Sequence, residues 1–258
     1  MSRLWVGTSG WSYRHWLGVF YPKDLKPAKF LEFYAKHFDC VELNASFYRL
    51  PDEKTVENWA KRTPPGFKFC LKLSRLITHQ KRLQGAEEPL QTFFERFRPL
   101  YEAGKLGPVL VQLPPSLRFD PDITEGFFAL LREHYGDYRF ALEARHASWF
   151  AEEALDLLKE HEIAHVIADS GGRFPSCEAI TADLVYLRFH GPGQLYVSDY
   201  PDEMLKEFAD KIAKWLREGL EVWAFFNNDV GGYAVKNARR LRERVGSRYA
   251  LEAGRRGR

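Results

Sequence analysis

Eight short runs of β-branched, aromatic and aliphatic residues recur through the 258 residues, and they constrain the fold more than any other feature. They are LWVG (4–7), CVELN (40–44), FKFCLKL (67–73), PVLVQL (108–113), FALEAR (140–145), HVIAD (165–169), LVYLRFH (184–190) and VWAFFN (222–227). Between most of them lie stretches of helical length with one apolar face. PAKFLEFYAKHF groups Phe30, Leu31, Tyr34 and Phe38. PLQTFFERFRPLYEAG groups Leu90, Phe93, Phe94, Phe97, Leu100 and Tyr101 and closes on Gly104, a suitable C-cap. EMLKEFADKIAKWLREG groups Leu205, Phe208, Ile212, Trp215 and Leu216. Strands alternating with helices pair in parallel, and eight is the number that closes a (β/α)8 TIM-type barrel. The connection GGRFPSCEAITAD (171–183) is too short for a regular helix, so the barrel is expected to be imperfect between strands six and seven. One α/β barrel domain over residues 1–245 and a basic tail over 246–258 account for the chain.

Seven of the runs end in polar side chains. The second ends Glu42-Leu43-Asn44, the third at Lys72, the fourth at Gln112 and the fifth Glu143-Ala144-Arg145. The sixth ends at Asp169, the seventh Arg188-Phe189-His190 and the eighth Asn227-Asn228-Asp229. Side chains alternate faces along a strand. Glu42 and Asn44 therefore share a face, as do Glu143 and Arg145, and Arg188 and His190. Their alternates (Val41, Leu43, Leu142, Ala144, Leu187 and Phe189) are apolar and suit the surface under the helices. The polar set is expected to line the interior at the C-terminal ends of the strands, where barrel enzymes place their chemistry.

The composition narrows the class. The cysteines Cys40, Cys70 and Cys177 are odd in number and lack a C-x-x-C pair, which fits neither a disulfide framework nor a zinc site. No apolar run approaches the roughly 18 residues of a membrane span, and MSRLWVGTSG is too polar for the core of a signal peptide. A soluble, cytoplasmic protein with no membrane partner is expected. G-x-S-x-G, P-loop, G-x-G-x-x-G and H-E-x-x-H motifs are absent, so serine hydrolase, nucleotidyl and zincin readings lack their usual support.

The stretches GTSGWSYRHWLGVFYP, VELNASFYRLP, FKFCLKLSRLITH, LGPVLVQLPPS, ALEARHASW, YLRFHGP and AFFNNDVGGYA occur in this order over about residues 4–241. They resemble the motifs of the YecE-like family, which carries a domain-of-unknown-function label. The resemblance implies a TIM-type barrel, with a loose relationship to sugar-isomerase-type barrels, and it names no substrate.

Four acids (Glu42, Glu143, Asp169, Asp229) and three bases (Lys72, Arg145, Arg188) nearly cancel at the expected mouth, with His79, His146 and His190 nearby. A balanced ring suits a small, carbohydrate-like substrate with hydroxyls and one phosphate or carboxylate. Glu42, Glu143, Asp169 and His190 are the candidate acids and bases. A buried carboxylate moves protons when its pKa is raised, and histidine titrates near neutrality. Arg145 and Arg188 suit bidentate recognition of an anion. Asn44, Lys72, His79, Gln112, Asn227, Asn228 and Asp229 complete the candidate binding set. Removing Glu143 or Arg188 is expected to cost activity more than folding. Gly191 and Gly193 after strand seven, and Gly231 and Gly232 after strand eight, stand where barrel enzymes bind phosphate through backbone amides; they equally suit tight turns. Trp11 and Tyr13, in an aromatic loop, offer faces for a sugar or base, or pack as a lid.

Two other readings stay open. Glu42, Glu143, Asp169, His190 and Asp229 would suit a divalent metal such as manganese or zinc in an isomerase or phosphodiesterase. Alternatively, residues 239–258 hold eight arginines against Glu243 and Glu252, so this end carries +6 and the remainder −3. Such an end, with the aromatic loop, would suit single-stranded nucleic acid.

Overall fold

The structure, a computed structural model, describes residues 3–253. Each of the eight runs forms a strand: β1 Leu4–Thr8, β2 Cys40–Leu43, β3 Lys68–Leu71, β4 Val109–Gln112, β5 Phe140–Glu143, β6 Ala164–Asp169, β7 Leu184–Phe189 and β8 Glu221–Phe226. All pair in parallel. A curled sheet of six strands runs β1-β8-β7-β6-β5-β4, and β2 with β3 forms a separate pair. Isolated parallel bridges flank that pair: Ser9 with Glu42 on one side, Phe69 with Leu106 and Lys72 with Leu110 on the other. The expected α/β architecture is present, with continuous ladders within the six-stranded sheet and the β2–β3 pair and only isolated bridges at the two flanks between them.

The β1 flank shows why no ladder forms there. Tyr34 of helix α1 (Phe30–Tyr34) inserts its hydroxyl between the strands, accepting from Thr8 N at 3.0 Å and donating to Cys40 O at 3.1 Å. The hydroxyl replaces bonds that the two backbones do not exchange. Gly7 allows this approach: an added Cβ would stand 2.4 Å from Cys40 O. That atom belongs to a strand and cannot swing aside. Gly7→Ala is therefore expected to cost about 1–3 kcal/mol, measured as a lowered midpoint in urea melts. An unchanged midpoint would mean that this flank opens freely.

The other described helices are α2 Ala45–Tyr48, α3 Glu53–Arg62, α4 Glu87–Glu102, α5 Pro121–Tyr135, α6 Glu152–Glu160, α7 Asp202–Arg217 and α8 Tyr233–Ala253. The helix expected over 27–38 is α-helical only at Phe30–Tyr34: a 3₁₀ turn at Pro27–Lys29 precedes it, and i→i+3 bonds from Lys36 N to Phe33 O and His37 N to Tyr34 O follow it. Helix α4 ends as its sequence predicts, on Gly104 at φ 63°. Residues 170–183 form no helix. Thr181 holds that connection to β6, accepting from His165 N at 2.7 Å and donating to Ile163 O at 2.6 Å.

The core has two layers. The larger lies between sheet and helices and includes Val41, Leu43, Leu142, Leu187 and Phe189, as alternation predicts. The smaller fills the inside of the curled sheet with Cys40, Cys70, Leu110, Ala141, Tyr186 and Phe225. Trp5 and Trp223 belong to it and stack at 4.7 Å between ring centroids, 10° from parallel. The three cysteines are free. Among the described residues, no helix is long and apolar enough to cross a membrane.

Helix α8 uses half of the arginines counted in the basic end. Arg239 lies over the Phe20 ring, Arg240 pairs with Asp199 and Asp202, Arg242 donates to His37 O, and Arg244 pairs with Asp202. The tail expected from residue 246 begins inside α8, and residues 254–258 lie outside the described residues.

Candidate functional site

Arg188 is the hub of the inner surface. It points inward from the end of β7 and is 1% exposed. Its Nε and Nη2 donate to the two oxygens of Glu42 on β2, at 2.9 and 2.7 Å, and Nη1 donates to Glu143 Oε2 on β5. Glu42 also accepts from Ser9 Oγ at 2.7 Å and Tyr186 Oη at 2.9 Å, and Glu143 accepts from Arg145 Nε at 2.8 Å. Three strands are thus tied across the interior by charge-assisted hydrogen bonds, the strong kind.

Burial alone would raise both carboxyl pKa values. The Arg188 guanidinium reverses this, holding Glu42 below and Glu143 well below the ordinary carboxylate range. Both are ionised at neutral pH, Glu42 accepting four hydrogen bonds and Glu143 one on each oxygen. The expectation of a carboxylate poised for proton transfer is therefore corrected for this pair. His190, beside them, has Nε2 3.5 Å from Glu143 Oε1, without a hydrogen bond, and Nδ1 3.2 Å from Asn227 Nδ2. Burial outweighs Glu143 and lowers the His190 pKa, so the ring is neutral near pH 7.

Above this layer opens a cleft of about 610 Å³, lined by Tyr13, Asn44, Phe47, Tyr48, Lys72, Arg75, His79, Gln112, Arg145, Arg188, Tyr196 and Asn227. Four of these side chains are basic and none is acidic, so the balanced ring expected from sequence does not face the cleft. Lys72 is 8% exposed, and its Nζ stands 4.0 Å over the centre of the Phe47 ring. Burial, reinforced by Arg188 and Arg145, lowers its pKa to about 7 against the opposing pull of Glu143 and Glu42. His79 sits on a π-helical turn, Leu76–Gln80, where burial and Lys72 lower its pKa to about 4. A second hollow of about 400 Å³, lined by Trp11, Leu31, Leu43 and Trp59, adjoins the cleft through their shared residues Tyr13 and Asn44.

Several candidates lie elsewhere. On β6 it is Val166 and Ala168 that face inward, so Asp169 faces the other way, and its Oδ1 accepts from Gly171 N at 3.0 Å. On β8, Phe225 and Asn227 face inward, and Asn228 packs beneath α8, donating to Asn237 Oδ1 and Ser198 O, both at 2.8 Å. Asp229 turns to the aromatic loop: its carbonyl accepts from Trp16 Nε1 at 2.9 Å and its carboxylate lies 3.4 Å from His15 Nε2. His146 caps the turn Ala147–Phe150 through Ser148. Trp11 packs edge-on against Trp59. The Gly191 amide already donates to Tyr200 Oη at 3.0 Å and the Gly232 amide to Asp229 O at 3.0 Å. Neither these glycines nor Gly193 and Gly231 line the cleft. Of the five groups considered as metal ligands, Asp169 and Asp229 are turned away from Glu42, Glu143 and His190, and among the described residues no three His, Cys, Asp or Glu side chains are grouped to hold an ion.

Sequence reasoning missed Ser9, Phe47, Tyr48, Arg75, Tyr186 and Tyr196. Tyr48 is 78% exposed on the single-turn helix α2, a large aromatic left in solvent at the rim. Tyr196 adopts φ 68°, costly for a bulky residue, and is held there by bonds from its amide to His190 O (2.6 Å) and from Val230 N to its carbonyl (3.2 Å).

A family model described as a protein of unknown function, DUF72, matches residues 5–256. The chain belongs to the DUF72 family. The YecE-like resemblance agrees with this: the chain is 32% identical to the UPF0759 protein YecE of Escherichia coli K12 over 174 residues, 65% of this chain and 59% of YecE. It is 26% identical to the UPF0759 protein YunF of Bacillus subtilis 168 over 96% of each chain. Among solved structures it is similar to a DUF72 family protein from Thermotoga maritima MSB8, with TM-score 0.84, 34% identity, and coverage of 93% of this chain and 98% of that one. An AP endonuclease of family 2 from Brucella melitensis shares the fold of this DUF72 chain at TM-score 0.54 and 10% identity, covering 91% of this chain and 96% of that one.

Proposed function

We propose that the two sheets and their bridges make a complete eight-stranded barrel, and that its C-terminal mouth is the active site of an enzyme for small, anionic, carbohydrate-like substrates. One observation carries this reading: the cleft presents four basic side chains and no carboxylate. Arg145 and Arg75 supply guanidinium groups for a phosphate or carboxylate. Asn44, Gln112 and Asn227 offer amides to hydroxyl groups, and Tyr13, Phe47, Tyr48 and Tyr196 offer ring faces to the C–H side of a sugar. A volume of about 610 Å³ falls within the range typical of small-ligand sites. The proton carrier in this reading is Lys72, with a pKa of about 7; a group that titrates near the working pH is the effective acid or base. Glu42 and Glu143 hold the floor in place rather than exchange protons.

A thermal-shift screen of sugar phosphates, sugar acids and their neutral parent sugars tests the proposal. The anionic members are expected to raise the wild-type Tm, and the parents are not. In the double variant Arg75→Gln/Arg145→Gln, affinity for any hit should fall by roughly tenfold or more, since a hydrogen bond to a charged group is worth about 1.5–3 kcal/mol. Full affinity in that variant, or cleft binding of single-stranded DNA in place of small anions, would overturn it.

A further inference from the structure

Lys72 stands apart from its basic neighbours in the cleft. Arg188 is bound to Glu42 and Glu143, and Arg145 to Glu143, so both guanidiniums are fixed. Lys72 projects from the end of β3 into the same cleft and, among the described residues, its Nζ makes no hydrogen bond or ion pair. One side of its Nζ is covered by the Phe47 ring. The charged groups that act on it are Arg188 from β7, Arg145 beyond β5, and the carboxylates Glu143 and Glu42; His79 lies on the adjoining turn. Glu42 already accepts from guanidinium, hydroxyl and phenol donors and Glu143 from Arg188 and Arg145, and neither carboxylate is hydrogen-bonded to Lys72. A cavity-facing lysine that is desolvated and flanked by other cations is an activated amine, the arrangement that favours covalent chemistry at carbonyl carbon.

We propose that Lys72 is the covalent attachment point for a carbonyl-bearing substrate, its amine forming an imine with an aldehyde or ketone held in the cleft. The inference rests on the anionic-substrate reading, because the same arginines would hold the carbonyl compound by its acidic group. The neutral amine donates its lone pair to the carbonyl carbon, the π pair moves to oxygen, and one nitrogen proton passes to that oxygen. The carbinolamine then loses its hydroxyl as water, taking the remaining nitrogen proton, while the nitrogen lone pair forms the C=N bond. Amine and carbonyl become imine and water, with no change of oxidation state. Protonated on nitrogen from solvent, the imine then withdraws electrons from the adjacent carbon. With its pKa lowered towards 7, Lys72 is far richer in free amine at neutral pH than an ordinary lysine, for which it is roughly one in a few thousand.

The experiment incubates the full chain at pH 7 with glyoxylate, a small carbonyl acid, and sodium cyanoborohydride, then maps the carboxymethyl-lysine formed by peptide mass spectrometry. Lys72 is expected to be modified at least tenfold faster than any other lysine, and excess glycolate, which is anionic but lacks the carbonyl, should slow it. Even modification across surface lysines, or an unmodified Lys72, overturns the proposal. Glycolate binding, read by thermal shift on the unmodified protein, separates the two readings. If glycolate binds but Lys72 does not react, the imine is wrong and the anion cleft stands. If glycolate does not bind and Lys72 does not react, both are wrong.

Discussion

Arg188→Met is expected to leave little folded protein, or to lower Tm by on the order of 10 °C. The substitution strands the carboxylates of Glu42 and Glu143, 0% and 1% exposed, without their shared cation. Breaking a buried ion pair from one side costs about 3–5 kcal/mol, and 1 kcal/mol moves the Tm of a domain of this size by roughly 2–4 °C. This revises the expectation that Arg188 matters more to activity than to folding. The pH dependence has a definite sign. In the wild type both carboxyl pKa values are depressed, so their contribution is present above the unfolded value near 4 and is lost as pH falls through the folded values. In the variant the stranded carboxyls gain by protonation, so its deficit should narrow between pH 7 and pH 5. Adding Glu42→Gln and Glu143→Gln should recover much of the loss, because the charges that were stranded are gone. If Arg188→Met melts within a few degrees of wild type, the hub does not hold the strands together.

Lys72→Met is expected to abolish reductive trapping at the cleft altogether while making the protein more stable. The folded state holds this lysine at a pKa of about 7 instead of its ordinary 10.5. Between those values the unfolded chain binds more protons than the folded one, so wild-type stability rises with pH across that window. Methionine carries no such penalty. Its advantage should be full below about pH 7 and vanish towards pH 10.5. Each tenfold bias in protonation is worth about 1.4 kcal/mol, and loss of the contact over Phe47 subtracts about 1 kcal/mol of cation–π attraction. The first effect is the larger, so the variant is expected to be the more stable at neutral pH. Urea melts at pH 6.5, 8 and 9.5 check it; a difference that does not vary with pH would assign the titration to another group.

The strand pattern was legible because each run is short, apolar and bounded, and the inward positions of β2, β5 and β7 were legible because polar and apolar residues alternate there. Glu42 with Asn44 against Val41 with Leu43 admits one orientation. HVIAD and VWAFFN do not, since both parities are apolar until the last residues. There the structure sends Asp169 and Asn228 outward and keeps Asn227 inside. Pairing was not legible at all. Glu42 and Arg188 are 146 positions apart, and their union turned an expected balance of charge into a neutralised floor beneath a basic cleft. Two of the glycine amides are taken locally, Gly191 by the Tyr200 hydroxyl nine residues on and Gly232 by the Asp229 carbonyl three residues back, and neither turn is marked in the sequence. Tyr48 and Arg75 belonged to motifs already quoted, but their exposure depends on a one-turn helix and a bend whose geometry is tertiary.

The Trp5–Trp223 stack has a consequence for traffic. Those rings and the apolar residues around them fill the interior at the far end of the strands. With that end filled, a guest of the cleft would enter and leave on the side where Tyr48 stands exposed, and two reactants would share that opening.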